Sequence, residues 1–74
     1  MIELIRTNDP VTLNFAAEKL REAGVEPFVL DSHMSILDGS VGAIPRRLMV
    51  TDDDAGLART ILHSAGLADE LRPR

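Results

Sequence analysis

A chain of 74 residues, 45% hydrophobic and without cysteine, is one domain near the small end of what folds alone, and no disulfide or thiolate-held metal supports it. Its net charge of −4 argues against general nucleic-acid binding, which needs a surplus of Lys and Arg to meet phosphates. No apolar run approaches the ~20 residues of a membrane span.

In chain order, "IELIR" at residues 2–6 alternates apolar and polar side chains and reads as a strand. "TNDP" stops it: Asp9 suits a helix N-cap, and Pro10 suits the first helical position, where its missing N–H costs nothing. Leu13, Ala16, Ala17, Leu20 and Ala23 then recur at helical spacing, with Glu18, Lys19, Arg21 and Glu22 facing away. Gly24 is expected to end this helix in a left-handed conformation, with Val25 folding back on the last turn. "EPFVLD" at 26–31 reads as a second strand and "RRLMVT" at 46–51 as a third. In "TDDD", Thr51 or Asp52 is expected to cap a second helix, whose positive end Asp53 and Asp54 favour. Ala55, Ala58, Ile61, Leu62 and Ala65 form its apolar stripe, and Gly66 ends it. The tail from 67 to 74 is open between a short fourth strand, a helical turn and fraying.

This order, β-α-β-β-α with a further strand left open, predicts an α+β ferredoxin-like domain over residues 1–66, with two helices on one face of the sheet. The first and third strands are expected side by side and parallel. Alternation would point Ile2, Leu4, Leu48, Val50, Phe28 and Leu30 at the helices. Glu3, Ile5, Val29, Arg47 and Met49 would lie on the other face. There Ile5, Val29 and Met49 suggest a subunit interface, and self-association would add burial to a core worth only ~3–5 kcal/mol net.

The stretches "TNDPVTLNFAAEKLREAGVEPFVLDS" and "RRLMVTDDDAGLARTIL", separated by a glycine-bearing connection, resemble a family of small bacterial signal-transducing proteins of unknown function. That family is similar in fold to the nitrogen-regulatory PII proteins. The resemblance spans roughly residues 2–66. It implies a ferredoxin-like fold, oligomerisation and a regulatory role, and it implies no catalytic residues. PII proteins present a long loop to partner proteins between their second and third strands, the position of residues 32–45 here. Their longer loop and basic nucleotide-contacting motifs are missing, so ATP binding is not carried over.

Residues 32–45 hold Met34, Ile36, Leu37, Val41 and Ile44 among glycines and serines. Such residues either cover an open end of the core or dock a partner. In the second case Met34, Ile36, Leu37 and Ile44 are the apolar anchors, and Arg46 and Arg47 add charge selectivity. "GSVG" before these arginines hints at an anion cradle, but it leads into a strand rather than a helix. Alternation also sends the two arginines to opposite sides. Three consecutive aspartates at a helix start spread around its axis and cannot share one metal ion. His33 and His63 fall in no ligand spacing.

No serine lies in a nucleophile-elbow pattern, and no triad is suggested. A non-catalytic cytoplasmic regulator without cofactor, acting on a protein partner through residues 32–45, is therefore expected. The N-terminus "MIELIRTND" has none of the zones of a signal peptide, in keeping with that location. The competing reading is a small-molecule sensor, like the amino-acid-binding ACT domains that this element order distantly resembles. Its effector would bind at a subunit interface, near residues 7–10 and the glycines of the connection, Gly39 and Gly42.

Overall fold

The structure, a computed structural model, describes residues 1–31 and 45–73. Strand β1 (Ile2–Thr7) leads into helix α1 (Pro10–Glu22), then β2 (Phe28–Asp31), β3 (Arg46–Val50) and α2 (Ala55–Ser64). Both helices end by the expected device. At α1 the amide of Gly24 donates to the Arg21 carbonyl at 3.0 Å, and that of Val25 to Leu20 at 2.9 Å. This double closure needs a left-handed residue, and Gly24 supplies it with φ +82°. Gly66, at φ +87°, repeats the motif after α2, with Leu67 reaching back to Leu62.

The start of α2 departs from expectation. Thr51 and Asp54 make no side-chain capping bond, and Asp52–Asp54 form a short 3-10 turn that feeds the helix. The turn is closed by the Asp54 amide donating to the Thr51 carbonyl. Its three carboxylates still lie where the helix dipole favours negative charge.

The sheet has the order β1-β3-β2, with β3 antiparallel to both neighbours. The first and third strands are adjacent as expected, but not parallel. The chain returns over α1 so that β1 and β2 run the same way, and β3 enters between them in the opposite sense. With both helices packed on one face, this is the ferredoxin-like α+β arrangement. In place of a fourth strand, the described part of the tail forms a 3-10 turn at Ala68–Glu70. Beyond it the Arg72 amide donates to the Leu4 carbonyl at 2.7 Å.

A bulge in β1 decides which residues are core. Glu3 opposes Met49, yet Ile5 opposes Leu48, so Leu4 is the extra residue between two paired ones. Leu4 and Ile5 are consequently both fully buried, in one cluster with Leu13, Ala16, Leu20, Leu48, Val50, Ala58 and Leu62. Ile5 is thus a core residue, a correction to its expected place on the open face. β2 follows the same register: Val29 opposes Leu48 on the helix side, and Phe28 opposes Met49 on the outer side. Phe28 and Leu30 therefore face away from the helices, against expectation. Each large apolar side chain buried this way contributes about 1.5–3 kcal/mol.

Two glycines test this reading of the backbone. A Cβ at Gly24 or at Gly56 would meet nothing within 4 Å, so only the main chain distinguishes them. Gly24→Ala forces an L-residue into the left-handed region and should cost about 1–2 kcal/mol in urea unfolding. Gly56→Ala, in the first turn of α2, should raise stability by about 0.4–1 kcal/mol. Changes of the same sign at both positions would contradict this account.

Candidate functional site

The chain turns from β1 into α1 through Thr7, Asn8 and Asp9, and a ring of short polar bonds fixes the turn. The Asp9 amide donates to Thr7 Oγ1 at 3.0 Å, and Asp9 Oδ1 accepts the Val11 amide at 2.9 Å. Asp9 Oδ2 accepts the Thr12 hydroxyl at 3.0 Å. Asp9 is thus the expected N-cap, with both oxygens occupied. Pro10 at the first helical position removes a donor that would otherwise need a partner.

Across the sheet from this turn lies one row of paired residues: Thr7 on β1, Arg46 on β3 and Asp31 on β2. Arg46 has the same facing as Leu48, towards the helices. Its Nε lies 3.4 Å from Asp31 Oδ1, with both side chains more than half exposed. An exposed pair of this kind is worth only ~0–1 kcal/mol, so its role is geometric. Between this row and the first turn of α1 opens a cleft of about 400 Å³, lined by Thr7, Asn8, Asp9, Pro10, Leu13, Asp31 and Arg46. It carries two carboxylates, one guanidinium, an amide and an apolar floor at Leu13, a mixed lining suited to a small polar molecule bearing both charges.

Arg47 points to the outer face, opposite Arg6 and Leu30. The two arginines would repel across the strands, but Arg6 is held away by a two-pronged bond to Glu3, both contacts at 3.0 Å. Glu3 also takes Arg72 Nε at 3.0 Å. Arg47 donates through Nη2 to the Asp31 carbonyl at 3.4 Å, while its buried Nε has no hydrogen-bond partner among the described residues.

The residues singled out from sequence are thus separated. Arg46 lines the cleft and Arg47 the outer face, so they do not form one anion grip. Met34, Ile36, Leu37 and Ile44 lie outside the described residues. Of the suggested interface, Ile5 is core, Met49 is buried on the outer face, and Val29 is exposed on the helix side. These three share no surface. The stretch at residues 7–10 does line a cleft, and Asp31 and Leu13 join it there. Sequence alone gave no sign of Asp31's part, which follows from its register opposite Arg46. Phe28 and Leu30, assigned from sequence to the core, are instead exposed.

The Thr12 hydroxyl, and secondly the Val11 amide, hold the Asp9 carboxyl below its ordinary pKa against a smaller opposing desolvation. A carboxyl depressed in the folded state adds stability above its unfolded pKa and loses it as pH falls through the folded value. Asp9→Ala should therefore lower the melting temperature at neutral pH. Its deficit against wild type should shrink as the buffer is taken down through the acid range. A deficit independent of pH would show that the carboxylate is not the stabilising form.

Among the described residues, no helix is long and apolar enough to cross a membrane. No curated protein matches the sequence. Residues 1–66, from β1 through the glycine that ends α2, match a family described as "Putative prokaryotic signal transducing protein". The matched span contains both helices, all three strands and every residue lining the cleft. On that match, which covers most of its length, the chain belongs to the family so described.

Proposed function

We propose that this chain is a non-catalytic regulatory module that acts through contact with another protein, using residues 32–45. The observation that carries the reading is the base of that segment. Asp31 and Arg46 are direct partners in the β2–β3 register and are joined by an ion pair. The segment therefore leaves and rejoins the sheet at one fixed place. Five large apolar residues in a connection with so firm a base suit an anchor for a partner. The test is affinity capture from native lysate with wild type and with a variant carrying a short Gly-Ser turn in place of residues 34–44. Circular dichroism should show that the variant folds. A captured protein should then rebind, once purified, to wild type and not to the variant. Equal recovery by both would overturn the docking role.

The cleft favours a second reading, an effector sensor. Asp31 and Arg46 are at once the two ends of the connection and part of the cleft lining. A molecule bound between Arg46 and the carboxylates would therefore touch both ends of the segment. A ligand that binds only the native state must raise its stability. A thermal-shift screen of amino acids, organic acids and nucleotides should yield a shift that Arg46→Ala abolishes. No shift across these classes would remove the support for a sensor.

A further inference from the structure

β2 is uncovered in a way that no other element of the sheet is. All four of its residues are exposed, and three of them are large and apolar: Phe28 at 37%, Val29 at 42% and Leu30 at 41%. Phe28 and Leu30 lie on the outer side and Val29 on the helix side, so the strand extends past the helical layer with apolar groups on both faces. Among the described residues nothing pairs with its free edge, since β2 is the last strand in the order. The opposite edge of the sheet is guarded. There a bulge disturbs β1, the Arg72 amide occupies the Leu4 carbonyl, and Arg72 is tied by Glu3 and by Arg59 Nη1 at 2.7 Å from its carbonyl oxygen. Bulges and charges are the usual protection of an edge, and β2 has only Asp31 and the preceding Pro27.

We propose that β2 pairs antiparallel with β2 of a second copy, across a two-fold axis at Val29, to form a continuous six-stranded sheet. A second copy fits because the strand is complementary to itself in one register. Residues directly opposed across a sheet share a face, so the axis must pass through a residue rather than between two. With Val29 on the axis, Val29 meets Val29 on the helix side, and Phe28 meets Leu30 in both directions on the outer side. Every apolar group of the strand then opposes another, and the two Asp31 carboxylates stay apart. The next permitted register, centred on Leu30, would set Val29 against Asp31. Met49, beside Phe28 on β3, is already buried, so the exposed apolar strip on the outer side is Phe28 and Leu30. Aromatic and β-branched cross-strand pairs are favourable in such a ladder. The strand is small against the roughly 800 Å² per partner of a standard interface, so association is concentration-dependent.

The protein has no cysteine, which makes a direct test clean. Val29→Cys places two thiols on the axis, at a separation that a disulfide can span. Mild oxidation of this variant should give a disulfide-linked dimer, and Leu57→Cys, at an exposed site on α2, should not. Sedimentation of unmodified protein should show a monomer–dimer equilibrium across a dilution series. Val29→Lys should be a folded monomer, Val29→Asp likewise, and their equimolar mixture should recover the dimer. A wild type that is monomeric at every concentration would overturn the proposal and mean that something else covers β2. A dimer that survives Val29→Lys, or one in which Val29→Cys does not cross-link, would place the interface elsewhere and overturn it equally.

Discussion

One extra residue in β1 organises much of this molecule. By inserting Leu4 between paired neighbours, the strand turns two successive side chains into the core, where strict alternation would bury one. For a domain with so few residues, that added aliphatic volume matters. The same irregularity leaves the Leu4 carbonyl for the Arg72 amide, so the tail is fastened where the ladder is interrupted. It also sets Thr7, rather than Arg6, across from Arg46 at the far end of the strand. The polar row under the first turn of α1 thus depends on a displacement three residues before Thr7.

The molecule divides its chemistry by face and by end. Aliphatic side chains of both helices and the inner sheet form the core, while charges collect on the outer sheet around Glu3. That carboxylate holds Arg6 and Arg72 together and keeps Arg6 from its opposing arginine. At the end where β1 and β2 finish, the side chains become short and polar, and the bonded turn around Asp9 gives the cleft a fixed wall. Polar groups on a turn this constrained are held in one arrangement by their own hydrogen bonds.

Elements with their own local physics were legible in the sequence. The Asp-Pro start of α1, the stripe from Leu13 to Leu20, and the glycines at both helix ends each carry their cause within a few residues. What required the structure was pairing. "FVLD" has three consecutive apolar residues and so no alternation to reveal which face is inner. "IELIR" alternates only as far as Leu4, and the bulge there brings the next residue, Ile5, to the same face. The direction of β3 relative to β1 likewise follows from topology rather than from either strand. For the candidate site, residues 7–10 were visible as a turn, but Asp31 joined them only through its register with Arg46.

The firm base between Asp31 and Arg46 also bears on how such a protein can change. When sheet register holds both ends of a connection, each doubling of its length adds only about 0.6 kcal/mol of closure cost. Asp31 and Arg46 are the last pair of the β2–β3 ladder, so added length between them need not shift its register. A longer segment between β2 and β3 therefore adds little closure cost. A small domain with so slender a margin of stability thereby keeps one region in which novelty is inexpensive.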